Sequence, residues 1–438
     1  MSKFDLLSST PPQSPEKWPG FVRHAISKVP RHMQPAAANA LFPAAEQHVK
    51  GTEFCYIDGT TSEPNGMEVC CGPSAVGKGF LDPMINAISR HFREHDVESR
   101  CKLLEWSRTC NSRGQNKDKP QRPTDCAILL PEPDMTSAAF IQILMDAEAE
   151  GGASIYTDLF ELSLIDACCG GHKKVTKAIR LNFDTKHWGA ERATPAGITG
   201  NPIMRWKWHG RCVPEEALIF FKDCLTNGTL GRIGFSYVPK PSSRKIPRQG
   251  KYDDAYKEKL EEYLLRLRCA NGSLTVPRLN KHIERLSEEL NDISDLSDDP
   301  VFESYANRSL RIAWMKGCIL WVAEGYRWSK EIQDFVEWSL YYDLWSKLQI
   351  FSPQMRKAQN CTHVDVRKYG PVNMLNLLKG DSFSKEQLEQ LRLSREMPAY
   401  CDDQLHNWIN RKFITYSAQT GLYTKTEEYL RKHPQTTD

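Results

Sequence analysis

The sequence lacks the features of a membrane protein, a disulfide-rich secreted protein or a zinc protein. Its most apolar late segment, "LRIAWMKGCILWVAEGY", contains Arg311 and Lys316 and is too short and too charged to cross a bilayer. The 14 cysteines include no C-x-x-C pair, so closely spaced zinc ligands are not indicated. The first thirty residues have no apolar core of a signal peptide. We therefore expect a cytoplasmic protein with reduced cysteines and no membrane association.

The sequence also has no strong excess of charge of one sign. Its 58 Lys and Arg residues oppose 55 Asp and Glu residues, which leaves a formal net charge of +3. Whole-chain electrostatics therefore neither require nor exclude a nucleic-acid partner. Three local stretches, 108–122, 172–186 and 240–251, are basic, and they are either phosphate contacts or ordinary solvated segments.

One short stretch carries a nearly complete nucleotide-binding motif. The sequence "CCGPSAVGKG" (70–79) contains G-x-x-x-x-G-K, but Gly79 stands where a magnesium-binding hydroxyl normally follows the lysine. In such a loop, glycines let backbone N–H groups surround a phosphate, and the lysine reaches the β- and γ-phosphates. The alternative is a glycine-rich turn with a structural role. The residues predicted to bind ATP are Gly72, Pro73, Ser74, Ala75, Val76, Gly77, Lys78, Gly79 and Phe80.

Apolar runs that alternate with helical patterns predict an α/β domain with a parallel sheet. Helical spacing continues over 78–96, and "TSAAFIQILMDAEAEGG" predicts a helix with Thr136 as N-cap and Gly151-Gly152 as its end. Residues 107–124 are polar, basic and typical of a loop. The predicted strands are "GMEVCC" (66–71), "CAILL" (126–130), "ASIYTD" (153–158), "IMRWKWHG" (203–210) and "IGFSYV" (233–238).

A nucleotide site of this type needs a carboxylate that holds Mg²⁺ at the end of a later buried strand. Asp158 ends the run "SIYTD" and is the predicted Mg²⁺ ligand, with a helix or turn cap as the alternative. Glu161 is the candidate for polarising the attacking water, unless it belongs to a solvated face.

Charge that develops on the γ-phosphoryl group calls for an arginine. Arg232 in "NGTLGRIGFSYV" is the first candidate, and Arg192 in "GAERAT" is the second. Either could instead form a surface salt bridge. Because Arg232 precedes a strand at the edge of the domain, we expect it to reach the nucleotide of a neighbouring subunit.

The alternation in "RWKWHGR" places two kinds of side chain on opposite faces of a strand. Arg205, Lys207 and His209 share one face, and Trp206 and Trp208 share the other. The basic face could lie near phosphates or nucleic acid, whereas packing is the favoured role of the tryptophans. His209 could sense the γ-phosphate.

Composition divides the chain into four segments. Residues 1–45 are predicted to be an N-terminal arm, 46–240 the nucleotide-binding domain, 241–355 a helical domain and 356–438 a small C-terminal domain. In the last segment three short helical patterns precede "FITYS", the turn "AQTG" and "LYTKT". Three helices followed by a hairpin are typical of a winged helix.

Taken in order, these motifs resemble a family of P-loop ATPases of bacterial mobile elements and phages, described as primase/helicase-like. The resemblance spans about 45–345. In that family a small residue often follows the P-loop lysine, as Gly79 does here. The family has Asp-Glu where this chain has Asp158-Leu159, with Glu161 displaced, which affects hydrolysis more than binding. The blocks that carry the resemblance are "GPSAVGKG", "CAILLPEPDMTSAAFIQILMDAEAEGGASIYTDLFEL", "AERATPAGITGNPIMRWKWHG" and "NGTLGRIGFSYVP".

The resemblance implies an α/β fold with a RecA-like ATPase core, a helical region and a C-terminal winged helix. It also implies a homo-oligomeric ring with ATP and Mg²⁺ between subunits and DNA, expected to be single-stranded, in the channel. The implied function is a helicase or translocase in replication of a mobile element or phage. A regulator that binds ATP, hydrolyses it weakly and recruits replication or mobilisation proteins is the alternative. A small-molecule kinase fits poorly, since it leaves the C-terminal half without a role.

Overall fold

The computed structural model describes residues 4, 7, 10–113, 118–191, 198–225, 227–242, 245–358, 370–395 and 397–433. Within these residues the fold is mixed α/β, as expected. The strands are β1 (Thr52–Cys55), β2 (Thr61–Ser62), β3 (Met67–Cys71), β4 (Ile155–Leu159), β5 (Trp206–Cys212), β6 (Gly234–Tyr237), β7 (Gly272–Leu274), β8 (Ser382–Phe383), β9 (Ile414–Ser417) and β10 (Leu422–Lys425).

Helices account for most of the remaining described structure. The first eight are α1 (Gly20–Ala25), α2 (Gln34–Glu46), α3 (Asp82–Ile88), α4 (Arg90–Ser112), α5 (Ser137–Ala149), α6 (Ile165–Cys169), α7 (His172–Phe183) and α8 (Pro214–Phe220). The next eight are α9 (Asp254–Arg268), α10 (Pro277–Ser297), α11 (Pro300–Ala323), α12 (Lys330–Ala358), α13 (Met374–Leu377), α14 (Lys385–Ser394), α15 (Asp402–Asn410) and α16 (Glu427–Lys432).

A four-stranded parallel sheet forms the centre of the fold, with the strand order β4-β5-β3-β6. Every residue of β3 and β5 is buried, because helices cover both faces of the sheet. All four strands point the same way, so their carboxyl ends meet at one edge, the carboxyl edge, and their amino ends at the other, the amino edge. The parallel sheet predicted from the sequence is thereby confirmed.

The helix predicted from "TSAAFIQILMDAEAEGG" is confirmed together with both of its ends. The Thr136 hydroxyl accepts a hydrogen bond from the Ala139 backbone N–H at 3.2 Å, which caps α5. Gly151 and Gly152 follow the helix with φ angles of 71° and 78°, a left-handed conformation that suits glycine. The residues at its two ends are therefore sufficient to predict where this helix begins and ends.

Three local predictions are wrong. Residues 126–130 do not form a strand, because the Asp96 carboxylate accepts the N–H groups of Leu129 and Leu130 at 2.9 and 2.8 Å. The helix predicted over 78–96 is divided at Ser89 between α3 and α4. The second of these helices continues to Ser112, into the segment predicted as a loop.

Most of the segment predicted as an N-terminal arm is instead packed into the core. Helix α2 lies against β3, β5 and β6, and its residues from Ala36 to Glu46 are buried. Helix α1 packs against α9 of the helical region. Helix α2 is rich in alanine, and these small side chains let its backbone approach the sheet closely.

The helical region and the sheet share one hydrophobic core, which includes α10, α11 and α12. In that region α12 packs along β6 and along α11. Asp299 caps α11 by accepting the N–H groups of Val301 and Phe302. Asp298 and Asp299 thus form the short junction between α10 and α11.

The C-terminal part has its own smaller core of mainly Leu, Phe, Trp and Tyr side chains. The predicted hairpin is confirmed, since β9 and β10 pair in antiparallel fashion from Ile414–Lys425 to Ser417–Leu422. The short strand β8 adds a third strand to it. Within the described residues, no helix has the length and apolar character needed to span a membrane.

Candidate functional site

The predicted phosphate-binding loop connects the carboxyl end of β3 to a single helical turn, Lys78–Leu81, that leads into α3. A Cβ on Gly72 would lie 2.9 Å from the Val238 carbonyl oxygen, so this position requires glycine. Gly77 has a φ of 97°, and a Cβ there would lie 2.7 Å from the Phe80 ring. The two glycines of the motif are therefore fixed by close packing and by backbone conformation.

The lysine of the motif folds back over its own loop. Lys78 Nζ donates hydrogen bonds to the carbonyl oxygens of Gly72 at 2.7 Å and Pro73 at 3.2 Å. Ser74, Ala75 and Gly79 are exposed, so the loop is open to solvent. A phosphate bound in the loop could therefore replace these neutral carbonyl oxygens as the hydrogen-bond acceptor of the Lys78 ammonium group.

Two residues outside the motif support the loop. His32 Nε2 is hydrogen-bonded to the Val76 carbonyl oxygen at 2.9 Å, and Gln249 Nε2 donates to the Phe80 carbonyl oxygen at 2.9 Å. Neither was identified from the sequence. They come from positions 44 residues before and 169 residues after the groups they contact, so only the tertiary fold could indicate them.

Asp158 lies in β4, at the same carboxyl edge as the loop. Its carboxylate is held by Arg211 of β5, whose Nη2 donates to Oδ1 at 3.0 Å and to Oδ2 at 2.9 Å. The other terminal nitrogen of Arg211 pairs with Asp82, the first residue of α3. His209 Nδ1 lies 3.5 Å from Asp158 Oδ1. Arg211 therefore connects the acidic strand to the helix that follows the phosphate-binding loop.

The electrostatics of this cluster leave an excess of negative charge. Burial raises the pKa of Asp158, but hydrogen bonds from His209 and the charge of Arg211 together lower it below its usual value. Burial raises the pKa of Asp82 more than Arg211 lowers it. Burial also lowers the pKa of His209, which favours the neutral imidazole. With both carboxylates ionised, two negative charges face one guanidinium.

The candidate for polarising water is not placed beside Asp158. Glu161 follows β4 and is exposed, and no hydrogen bond or ion pair within the described residues connects it to Asp158. Leu159 directly follows the aspartate and is fully buried. The family that the chain resembles has a glutamate directly after this aspartate. In this chain a buried apolar side chain, Leu159, occupies that position.

Arg232 lies at the amino edge of the sheet, just before β6. Its guanidinium donates to the Gly228 carbonyl oxygen at 3.0 Å and to Asp184 Oδ2 at 3.3 Å, and lies 5.7 Å from the centroid of the Phe183 ring. Because β6 and β3 run parallel, the phosphate-binding loop of the same chain is at the opposite edge. Arg192, the second candidate, lies outside the described residues.

Both faces of the strand "RWKWHGR" are packed, since Lys207, His209 and Arg211 are buried as well as the tryptophans. Trp206 and Trp208 are fully buried, and Trp206 packs 5.2 Å from Phe140 between ring centroids. His209 is not at the end of the strand, since β5 continues to Cys212. Arg211 instead is the basic residue nearest the carboxyl edge. The regular spacing of the basic residues could have indicated it, but its role requires knowledge of the strand order.

A cavity of about 400 Å³ lies beside Asp158, between α3, α4 and the segment 130–133. Its floor includes Ser89 and Tyr156, both buried, and its rim includes Arg93. The cavity adjoins the acidic cluster, so a ligand of the phosphate-binding loop and a second ligand could meet at Asp158.

Among the described residues, no group of three or more His, Cys, Asp or Glu side chains could hold a metal ion unaided. Any cation here needs ligands from elsewhere, such as phosphate oxygens. No family model matches the chain, and no curated protein matches it.

Proposed function

We propose that this protein is a P-loop ATPase that binds ATP with Mg²⁺ and acts on DNA, as a helicase-like or translocase-like enzyme of a mobile element or phage replication system. The observation that carries the proposal is the arrangement at the carboxyl edge of the sheet. There the strand–loop–helix unit with Lys78 is joined to Asp158 through Arg211 and Asp82. Ligands of open parallel sheets bind at this edge.

The backbone of the loop and the lysine that follows it then have distinct roles. The backbone from Gly72 to Gly77 surrounds the β-phosphate, and Lys78 exchanges its two carbonyl acceptors for phosphate oxygens. Asp158 is the residue that would hold Mg²⁺, which neutralises charge on the β- and γ-phosphates when bound. The exposed positions Ser74, Ala75 and Gly79 leave the entrance open.

The proposal includes a RecA-like core and a homo-oligomeric ring, both supported by the resemblance to the primase/helicase-like ATPases. The part 370–433, with its helices and three short strands, is proposed to be the winged helix. Residues 365–438 carry eleven basic against ten acidic side chains. Because strong DNA binding needs many neutralised phosphates, single-stranded DNA would contact mainly the basic stretches outside this part.

A second function is favoured by one observation. Leu159 occupies the position of a catalytic glutamate and Glu161 is exposed, so the cluster has no evident base for water. A regulator that binds ATP, hydrolyses it slowly and recruits replication or mobilisation proteins through its winged helix would need no such base. Stimulation of ATP hydrolysis by single-stranded DNA distinguishes the enzyme from the regulator.

The first test is the substitution Lys78→Ala. It removes the cation that would face the phosphates but leaves the backbone of the loop in place, so ATP binding measured by calorimetry should weaken at least about tenfold, the equivalent of about 1.4 kcal/mol. Lys330→Ala is the matched control, because Lys330 is 80% exposed and pairs with Asp334, four residues later in its own helix.

Unchanged ATP affinity in Lys78→Ala would refute the phosphate-binding loop. Electron microscopy with a nonhydrolysable ATP analogue and single-stranded DNA addresses the ring separately. A closed ring that encloses DNA is the expected result, and a monomer that binds the analogue would favour the regulator.

A further inference from the structure

We propose that Asp82 and Asp158 together form the divalent-cation site of this protein, with Asp82 in place of the hydroxyl missing at Gly79. In the absence of metal, the guanidinium of Arg211 pairs with both carboxylates. The inference rests on the proposed nucleotide site and adds to it a residue that lies outside the sequence motif.

The first argument is the position of Asp82 relative to Gly79. A Cβ placed on Gly79 would lie 3.7 Å from Asp82 Oδ2. Side chains on a helix point back toward its N-terminus, so a carboxylate three residues later reaches over the preceding turn. The Asp82 carboxylate thus extends to the space where a serine or threonine side chain would begin. Gly79 leaves this space free.

The second argument is the shared arginine. One terminal nitrogen of Arg211 pairs with Asp82, and the other lies 2.9 Å from Asp158 Oδ2. The two carboxylates are therefore no further apart than a single guanidinium can bridge. A cation held between two carboxylates at a nucleotide site is the arrangement that Mg²⁺ uses, since it takes one or two carboxylates, phosphate oxygens and waters.

The third argument is a buried hydroxyl that has no partner. Tyr156 is 2% exposed and lies two residues before Asp158, on the same face of β4. Its hydroxyl makes no hydrogen bond within the described residues, although Asp158, Arg211 and Asp82 all act electrostatically on it. Buried hydroxyl groups are almost always satisfied, by protein or by ordered water. A hydrated cation in the cluster would supply that water.

Two carboxylates alone do not make a strong site, which agrees with the absence of a complete metal-binding group among the described residues. The site would form only when nucleotide phosphates supply further oxygens. A divalent cation would then displace Arg211 from between the carboxylates. The released guanidinium lies one residue before the end of β5, next to the loop strand, and can neutralise phosphate charge instead.

The experiment measures how strongly metal and nucleotide binding support each other. The affinity for a nonhydrolysable ATP analogue is determined by calorimetry in EDTA and in excess Mn²⁺. We expect Mn²⁺ to strengthen binding about tenfold in the unmodified protein. Asp82→Asn should reduce this enhancement to less than about twofold and leave the affinity in EDTA unchanged or higher, because a negative charge near the phosphates is removed. Asp158→Asn should behave in the same way.

Two further variants make the test specific. Asp254→Asn, an exposed aspartate on α9, should retain the full enhancement. Gly79→Ser added to Asp82→Asn should restore it, because the hydroxyl replaces the missing oxygen ligand. Thermal unfolding of each variant verifies that the fold is intact.

The outcomes separate this inference from the function on which it rests. Full enhancement by Mn²⁺ in folded Asp82→Asn would overturn the role of Asp82 and leave the nucleotide site standing. Loss of enhancement in that variant without rescue by Gly79→Ser would also count against Asp82 as a substitute for the hydroxyl. If the unmodified protein binds no analogue in EDTA or in excess Mn²⁺, the proposed function itself fails.

Discussion

The two edges of the central sheet hold charged side chains in different surroundings. At the amino edge, Glu68 and Lys316 form an ion pair in which both side chains are 3% exposed. At the carboxyl edge, the side chains of Asp158 and Asp82 are 21% and 31% exposed, and the loop beside them is open. The Glu68–Lys316 pair is enclosed, whereas Asp158 and Asp82 lie beside an open loop and, in the case of Asp158, a cavity.

This difference separates charges that hold the fold together from charges that can exchange partners. At the amino edge Lys316 also donates to Asn39 at 2.8 Å, so its ammonium group is surrounded by fixed acceptors. At the carboxyl edge, the hydrogen bonds that Lys78 makes within the described residues go to neutral carbonyl groups. Breaking an enclosed pair should therefore cost stability, and removing an open charge should cost binding.

The largest expected effect on stability is that of Lys316→Met. The substitution keeps the length of the side chain but leaves the Glu68 carboxylate buried without its cation. Removal of one partner of a buried pair typically costs about 3–5 kcal/mol, and we expect a loss of that size in the free energy of unfolding. Denaturant unfolding followed by circular dichroism measures it.

The comparison requires a contrasting variant at the carboxyl edge. Lys78→Met should change the free energy of unfolding by no more than about 0.5 kcal/mol, since the side chain is partly exposed and forms no ion pair within the part of the chain that the structure describes. Equal destabilisation by the two variants would show that the two edges do not differ in the way their charges are used.

A smaller, pH-dependent effect is expected from Glu46, which lies under the amino edge beside Lys207. Burial raises the pKa of Glu46 above its ordinary value of 4.5, and the Lys207 charge only partly opposes this. The folded protein thus keeps a proton that the unfolded chain releases. The contribution of Glu46 to stability is complete below pH 4.5 and decreases as the pH rises toward the folded-state pKa, by up to about 1.4 kcal/mol per pH unit.

The variant Glu46→Gln isolates this contribution, because burial lowers the pKa of His48 to about 3 and thereby makes the stability depend on pH as well. The free energy of unfolding of the unmodified protein minus that of the variant should decrease with pH above 4.5 and then become constant. Chemical unfolding at a series of pH values gives the difference. A difference that stays the same at every pH would mean that the pKa of Glu46 is the same in the folded and the unfolded protein.

The sequence predicts those elements that depend on contacts between neighbouring residues. It fails for elements that depend on contacts between distant parts of the chain. The loop from Gly72 to Lys78, the cap at Thr136 and the hairpin of β9 and β10 depend on neighbouring residues, and all three form where the motifs indicate. The strand predicted at 126–130 fails because Asp96, more than thirty residues earlier, takes its backbone N–H groups. No local pattern contains that information.

The same limit applies to the candidate site, because only those of its residues that belong to a local motif were predicted. Lys78 and Asp158 were found because each follows a recognisable strand. Arg211 and Asp82 were missed because their pairing depends on β5 lying between β4 and β3. The strand predicted over 203–210 also ends two residues early, which made His209 its last basic residue and left Arg211 outside it.

The smallest expected effect on stability concerns Arg232. Its ion pair with Asp184 at 3.3 Å is partly exposed, and such pairs contribute roughly 0–1 kcal/mol. Asp184→Asn should therefore change the free energy of unfolding very little. As a control it releases the guanidinium without removing it, so it separates the ion pair from any role of Arg232 in catalysis.

We predict that Arg232 acts on the nucleotide of a neighbouring subunit, since it lies at the edge of the sheet opposite its own loop. Arg232→Ala should bind ATP almost normally and hydrolyse little, whereas Asp184→Asn should retain hydrolysis. A guanidinium can bridge two phosphate oxygens, which a lysine cannot, so Arg232→Lys should also hydrolyse poorly. Steady-state ATPase assays compare the three variants.

Mixing decides between a role across the subunit interface and a purely structural one. Arg232→Ala and Lys78→Ala each lack one half of a shared site, so mixed oligomers would contain some sites with an intact loop and an intact arginine. Partial hydrolysis should return as the ratio of the two proteins is varied. If no mixture exceeds the summed activities of the separate variants, Arg232 serves only its own chain. The amino edge would then be structural throughout, and the carboxyl edge would contain all the chemistry.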